Sequence, residues 1–298
     1  MHGENFFPQT TLLKTKNKHK LIYLNYLEPK LEFEKTKESP FYFDESYKDK
    51  ILIRGGYAKK ILDKLFIGYN SSEISSFGIL KISKKIFLEA QIIKLKNDDY
   101  LLISDDLSLA YKKLSRLARL KKKIIIFDVS RLYSLFSIYN LTDTTPLKSF
   151  NPYTTTYQQV KFIQILIETN RKEQLLTLFE QSSLFAIGLE TRNTFLYNNN
   201  SIPTVNTLKP KKRRELLKII YNLNQNQRIV RFEILGFIEY QKNKIYTITK
   251  QKVGRLINIY SSFDNKYPYA FGYIKSDCFD QYFFIKSHRD YIISKLIK

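Results

Sequence analysis

Carboxylates at the ends of two apolar segments are the residues best placed for chemistry. Residues 101–104 run into Asp105 and Asp106, and residues 124–127 run into Asp128. Acids at strand ends are how metal-dependent nucleases hold Mg²⁺ beside a scissile phosphate. Asp106 is equally explained as a helix cap and Asp128 as a turn residue. The three acids are therefore weak candidates for a catalytic site.

The sequence lacks the residues that several other common kinds of binding or catalytic site need. Only Gly55 and Gly56 are adjacent among nine glycines, so neither a P-loop nor a dinucleotide-binding fingerprint is present. Three histidines and the single Cys278 provide no zinc-ligand set, no disulfide and no Ser-His or Cys-His nucleophile. We expect no resident metal and no cofactor, with Mg²⁺ required only if the chain is a nuclease.

The charge of the chain points to a polyanionic partner. Its 298 residues include 50 Lys and Arg against 28 Asp and Glu, a net charge of +22. A field of that sign attracts nucleic acid and acidic membranes. The 22 Tyr and 22 Phe are scattered among the basic residues, which suits stacking on bases better than insertion into a membrane. A compositionally biased genome is the alternative explanation.

Neither a membrane span nor a secretion signal is recognisable. Polar residues interrupt every apolar run before it reaches the roughly 18 residues that a spanning helix needs. The amino terminus lacks the basic start and apolar middle of a signal peptide. We expect a soluble protein that works where it is synthesised, in the cytoplasm or inside an organelle, and that is not secreted.

Two helices carry concentrated positive charge. Apolar spacing predicts a helix over 107–121 with basic residues on its outer face, and Pro210 predicts the start of another helix that opens with four basic residues. Positive charge at a helix amino terminus is unfavourable unless an anion such as phosphate binds there. Both clusters are candidate phosphate contacts, with a solvated surface as the alternative: Lys112, Lys113, Arg116, Arg119, Lys211, Lys212, Arg213 and Arg214.

The remaining pattern alternates between strands and helices. Residues 1–50 predict an extended arm with short strands, and residues 124–127 a buried strand. A meander is predicted over 77–82, 86–95 and 100–103. Helices are predicted over 154–168, 172–185 and 288–298, and strands over 228–240, 244–250, 253–262, 269–275 and 282–287.

The chain is predicted to form two domains, with a boundary after residue 206. Residues 1–206 form a mixed α/β and helical domain of unknown role, and residues 207–298 form a basic domain.

Two aromatic motifs lie near the carboxyl end: Ala270-Phe271-Gly272-Tyr273-Ile274-Lys275 and Tyr282-Phe283-Phe284-Ile285-Lys286-Ser287. Over about 252–288 the chain resembles the cold-shock domain family, an OB-fold nucleic-acid-binding barrel. The resemblance implies that three rings stack on unpaired bases while nearby cations contact phosphates. The implied residues are Phe271, Tyr273 and Phe283 for stacking, and Arg255, Lys275 and Lys286 for phosphate. A winged helix over 210–250, with its wing turn at 241–243, is the competing interpretation.

These observations predict an α+β fold with an N-terminal α/β portion, a helical middle and a C-terminal small β barrel or winged-helix module. The predicted function is RNA or single-stranded DNA binding without chemistry, and the predicted partner is nucleic acid, not membrane. One alternative is a metal-dependent nuclease similar to the PIN and NYN families. The other is a structural protein of a ribonucleoprotein, such as an organellar ribosome, or an effector of a microbial nucleic-acid-sensing system.

Overall fold

The chain forms two compact units, Met1–Arg214 and Glu215–Lys298, in a computed structural model. The structure describes residues 11–14, 21–68, 70, 72–121, 124–199, 201–202, 210–221, 223–235, 244–260, 268–278, 280, 282–286 and 291–297. The domain boundary predicted from the sequence follows residue 206, whereas the two units of the structure divide between Arg214 and Glu215.

Unit 1 contains most of the secondary structure. Its strands and helices, in chain order, are β1 (Thr11–Lys14), β2 (Leu21–Asn25), α1 (Pro29–Glu38), β3 (Phe41–Asp44), β4 (Asp49–Arg54), α2 (Ala58–Leu65), β5 (Phe66–Ile67), β6 (Ser75–Lys81), β7 (Phe87–Lys94), β8 (Tyr100–Ser104), α3 (Ser108–Lys121), β9 (Ile125–Asp128), β10 (Tyr133–Tyr139), β11 (Tyr153–Tyr157), β12 (Val160–Glu168), α4 (Lys172–Gln181), β13 (Phe185–Ala186) and α5 (Leu189–Asn198). The next helix, α6 (Pro210–Ile220), contains the point of division.

Two sheets make up the body of unit 1. The described strands form sheet I in the order β5-β6-β7-β8-β4-β9 and sheet II in the order β11-β12-β10-β3-β13. Neighbouring strands are antiparallel except for β13 and β3, which are parallel. The predicted meander over 77–103 is present as β6, β7 and β8.

Each sheet buries both faces, which explains its long apolar strands. One face of sheet I packs Leu102 and Ile92 against Leu114 of α3. Its other face packs Leu101 and Ile103 against Leu135 of sheet II. The far side of sheet II contacts α4. Unit 1 is therefore layered, and side chains between the two sheets lie deep in the interior.

The predicted helical middle is wrong. Residues 154–168 form β11 and β12, which pair antiparallel with each other and attach to β10, whereas the helix predicted from residue 172 is present as α4. Residues 124–127 were expected to be a buried strand, but β9 lies at the edge of sheet I and is mostly exposed. Within the predicted N-terminal arm, α1 forms a helix of ten residues.

Unit 2 contains a closed barrel. Its strands are β14 (Gln227–Ile234), β15 (Lys244–Tyr246), β16 (Lys252–Tyr260), β17 (Tyr269–Lys275), β18 (Tyr282–Lys286) and β19 (Tyr291–Ile297). The described strands close in the order β14-β17-β16-β15-β18-β19, because β14 pairs with both β17 and β19. The helix predicted over 288–298 is wrong, since β19 is the strand that completes this circle.

The wing turn proposed at 241–243 lies outside the described residues. No helix in the described ranges is both long enough and apolar enough to cross a membrane.

Candidate functional site

A connected set of polar side chains lies between the two sheets of unit 1. We call it the polar centre, and it consists of Glu45, Ser75, Gln91, Ser137, Thr155, Gln164 and Arg192. All seven residues are buried. Because burying a polar group costs free energy unless it is hydrogen-bonded, such a concentration between two apolar sheets requires a specific network.

Glutamines on facing strands connect the two sheets. Gln91 of β7 donates through Nε2 to Gln164 Oε1 of β12 and to Ser75 Oγ. Ser75 Oγ lies 3.0 Å from Thr155 Oγ1 of β11. Gln164 in turn donates from Nε2 to Ser137 Oγ over 3.1 Å. The network therefore runs from sheet I across sheet II.

Glu45 is the charged end of this network. Its Oε1 accepts from Lys48 Nζ and from Arg192 Nη2, each at 2.8 Å. Its Oε2 accepts from Ser137 Oγ at 2.8 Å and from Gln164 Nε2 at 3.2 Å. Four donors thus surround one carboxylate, which is about as many as its lone pairs can accept.

The electrostatics keep this group ionised. Burial by itself raises the pKa of Glu45, but the charges of Lys48 and Arg192, together with the hydrogen bonds from Lys48 and Ser137, outweigh burial and lower that pKa to about 2. The pKa of Arg192 is raised despite its burial, because Tyr139 and Glu45 lie nearby. Two cations against one carboxylate leave a net positive charge, which favours an anionic ligand.

Tyrosines surround the charged end. Burial raises the pKa of Tyr139 to about 12. Burial and then the charge of Glu45 raise the pKa of Tyr153, and burial and then Asp105 raise the pKa of Tyr47. Tyr47 and Tyr153 are half-buried, whereas Tyr139 is buried. Tyr47 and Tyr153 are thus both close enough to Glu45 for its charge to raise their pKa values.

The loop that carries Glu45 and Tyr47 is fixed by a buried lysine. Lys50 has no exposed surface, and its Nζ donates to the carbonyl oxygens of Ser46 and Lys48, each at 2.9 Å. Loops are usually among the more mobile parts of a fold. Here an internal ammonium group holds the loop backbone beside the polar centre.

Two atoms of the polar centre have no hydrogen-bond partner among the described residues. They are Gln91 Oε1, an acceptor, and Arg192 Nε, a donor. Both side chains are more than nine-tenths buried. Since buried polar groups in folded proteins are almost always satisfied, each of these two atoms is a point at which a small polar molecule would gain a hydrogen bond.

Two of the three acids predicted to hold a metal are occupied in local turns. Asp106 Oδ1 accepts from the backbone N–H of Ser108, and Asp128 Oδ1 accepts from that of Ser130. Asp105 is exposed and acts electrostatically on Tyr47. Within the described ranges, no group of three or more His, Cys, Asp and Glu residues is arranged to hold a metal ion.

The predicted phosphate contacts are dispersed over several elements. Lys112, Arg116 and Arg119 are exposed on α3, but Lys113 donates to the carbonyl oxygens of Lys81 and Ile82. Lys211 is exposed at the start of α6, and Arg213 and Arg214 are half-buried. In unit 2, Arg255 and Lys275 are exposed. The side chains of Lys212 and Lys286 lie outside the described residues.

The predicted stacking rings do not share an outward surface. Phe271 and Phe283 are each 1% exposed, and Tyr273 is half-buried. Phe283 packs edge-on against Phe232 in the interior of the barrel, with a distance of 5.5 Å between ring centroids. A ring enclosed in this way presents no face to a base, so these residues cannot form the expected platform.

Comparison with known proteins identifies the fold. The chain is similar to glycine cleavage system aminomethyltransferase T from Bartonella henselae, with a TM-score of 0.68 and 14% identity over 97% of this chain and 93% of that chain. A heterotetrameric sarcosine oxidase from Corynebacterium sp. U-96 matches 47% of this chain and 80% of its own, at 12% identity and a TM-score of 0.33. No protein-family model matches the sequence, and no curated protein matches it.

The fold similarity corrects the predicted class and function. The chain has the fold of aminomethyltransferase T, so the predicted α+β arrangement with a cold-shock or winged-helix module is wrong. The predicted nucleic-acid-binding function is contradicted with it, and so are the nuclease and ribonucleoprotein alternatives and the nucleic-acid partner. The net positive charge of the chain was therefore not sufficient evidence for a nucleic-acid partner.

None of the seven residues of the polar centre was predicted from the sequence. The available signal was a polar residue in the middle of a largely apolar strand, as at Gln91, Ser137 and Gln164. In a strand that is buried on both faces, such a residue must find a partner inside the protein. Glu45 and Arg192 carried no comparable signal, because charged residues are frequent along the chain.

Proposed function

We propose that this protein binds a folate-type one-carbon carrier at the polar centre of unit 1. The fold supports this class of ligand, because the similar structure over almost the whole chain is an aminomethyltransferase. An aminomethyl group is a one-carbon unit attached to nitrogen, and folates carry one-carbon units on nitrogen atoms beside a pterin ring.

The observation that carries the proposal is the pair of buried atoms without partners, Gln91 Oε1 and Arg192 Nε. A pterin presents amino groups that donate hydrogen bonds beside ring nitrogen and carbonyl atoms that accept them. Gln91 Oε1 can accept a hydrogen bond from an amino group of the pterin. Arg192 Nε can donate one to a ring nitrogen or to the carbonyl oxygen. A ligand that meets both groups gains the hydrogen bonds that the unliganded protein leaves unmade.

The surroundings suit the rest of such a ligand. Half-buried Tyr47 and Tyr153 offer flat aromatic surface to a conjugated ring. The positive balance of Arg192 and Lys48 over Glu45 adds a general attraction for an anionic ligand, and a folate is an anion. A well-formed site usually combines aromatic walls with a few fixed polar groups in this way.

Isothermal titration calorimetry with 5-formyltetrahydrofolate tests the proposal. We expect saturable one-to-one binding that Gln91→Met weakens about five- to thirtyfold, because the loss of one well-placed hydrogen bond in a buried site costs about 1 to 2 kcal/mol. Gln159→Met is the matched control, since Gln159 is exposed, and it should bind like the unaltered protein. Circular dichroism of both variants monitors folding.

Two results would overturn the proposal. One is the absence of saturable binding by the folded protein. The other is equal affinity in Gln91→Met and Gln159→Met, which would place any folate site elsewhere on the chain.

A further inference from the structure

Strand β9 leaves one edge of sheet I without a neighbour among the described strands. It pairs antiparallel with β4 on its inner side, from Ile51 opposite Asp128 to Arg54 opposite Ile125. An edge strand offers backbone N–H and C=O groups to a further strand, and proteins usually protect such edges with charges, proline or a covering element. Apart from the exposed Asp128 at its end, β9 carries no charge and no proline.

The side chains of β9 divide between the two faces of the sheet. Ile124, just before the strand, and Ile126 pack into the core beneath α3. Ile125 and Phe127 point to the opposite face and are 52% and 44% exposed. Leu132 follows shortly after and is 61% exposed. One face of this edge is therefore apolar and accessible.

The other face lies beside a basic helix. Helix α3 packs on the side of sheet I that Ile124 and Ile126 face, and it contacts β9 directly. From Ser108 to Lys121 it contains no acidic residue, and Lys112, Arg116 and Arg119 are exposed on it. An added strand would thus have a positive field on one side and apolar surface on the other.

We propose that β9 is a docking edge for an extended segment of a partner protein whose residues alternate between acidic and apolar. Successive side chains of a strand point to opposite faces. Acidic residues would therefore meet the α3 side, and apolar residues would meet Ile125 and Phe127. Backbone hydrogen bonds to β9 supply affinity, and the alternation supplies specificity, as in other cases of strand addition.

Charge distinguishes this partner from a second copy of the chain. Antiparallel pairing of two β9 edges in one continuous sheet would place two α3 helices on the same side. Their exposed cations, Lys112, Arg116 and Arg119 in each copy, would then repel each other. An acidic segment meets the same surface with complementary charge, so the charge pattern favours a different protein as the partner.

Fluorescence anisotropy with a labelled eight-residue peptide of alternating Glu and Val tests the proposal. We expect saturable binding that weakens as salt is raised, and at least tenfold weaker binding by Phe127→Lys and by Arg119→Glu. The matched control is Ile248→Lys, an exposed apolar residue in unit 2, which should bind like the unaltered chain. All three positions are exposed, so the variants should remain folded.

A peptide of alternating Lys and Val should not bind. Equal binding of the Lys and Glu peptides, or no effect of Phe127→Lys, would overturn the proposal. A stable dimer in light scattering that Phe127→Lys converts to a monomer would also overturn it, because the occupant would then be a second copy.

Discussion

Arg192 of α5 donates from Nη2 to Glu45 Oε1 over 2.8 Å, and both side chains are more than nine-tenths buried. The two residues are 147 positions apart, so the ion pair joins the end of β3 to α5. The same guanidinium lies 4.9 Å above the ring of Phe43. The pair therefore fixes the relative position of the elements that carry the charged end of the polar centre.

Glu45→Gln should lower the free energy of unfolding by about 3 to 5 kcal/mol, because it leaves Arg192 as a buried charge without its carboxylate. Arg192→Met should cost less, because Lys48 still pairs with Glu45. Urea denaturation measures the loss. Glu34→Gln is the control, since Glu34 and Lys37 form an exposed pair of the kind that contributes about 1 kcal/mol or less. Equal effects of Glu34→Gln and Glu45→Gln would contradict the role assigned to the buried pair.

Acid should destabilise the protein through Glu45. Its pKa is about 2 in the folded chain and 4.5 ordinarily, so the unfolded state binds the proton more tightly. The stabilisation is fully present above about pH 4.5 and is lost as the pH falls toward 2. It amounts to about 3 kcal/mol. Urea denaturation at a series of pH values should show this slope, and the slope should be smaller in Glu45→Gln.

Local signals explain what could be predicted from the sequence. The meander β6-β7-β8 was recognisable because apolar strands are separated by the turn residues 97–99, and α3 because its apolar residues recur at helical spacing. The same use of apolar spacing gave a wrong prediction for residues 154–168. Val160, Ile163 and Ile167 fit a helix, but β12 is buried on both faces, so its apolar residues do not alternate.

The polar centre depends on long-range contacts that no local pattern encodes. Gln91 and Gln164 become neighbours only because β7 and β12 belong to facing sheets. The same holds for the barrel of unit 2, where β19 pairs with β14 about 60 residues earlier in the chain. Aromatic spacing near Phe271 was visible in the sequence, but whether those rings point outward or inward was not.

Phe283→Ala should destabilise unit 2 by about 3 to 5 kcal/mol, because it removes a large side chain from the interior of the barrel. Tyr282→Ala, at the adjacent position on β18, should change stability by about 0.5 kcal/mol or less, since Tyr282 is 41% exposed. Thermal denaturation of both variants measures the contrast. Similar melting temperatures for the two would contradict the inward orientation of Phe283.

Gly188→Ala should be among the most damaging small substitutions in unit 1. A Cβ added at Gly188 would lie 2.0 Å from the carbonyl oxygen of Leu24, so α5 or β2 would have to move. Gly188 is the N-cap residue of α5, and its carbonyl oxygen accepts from the backbone N–H of Arg192 at 3.0 Å. The displacement would therefore reach the ion pair with Glu45.

We expect Gly188→Ala to cost about 3 kcal/mol of unfolding free energy or more, as overpacking against backbone does. Gly56→Ala is the matched control, because a Cβ at Gly56 meets nothing within 4 Å. It should leave stability unchanged or raise it by about 0.4 to 1 kcal/mol, since alanine restricts the unfolded chain. Urea denaturation of both variants measures these changes in unfolding free energy. Equal midpoints for the two would show that α5 does not pack against β2 at Gly188.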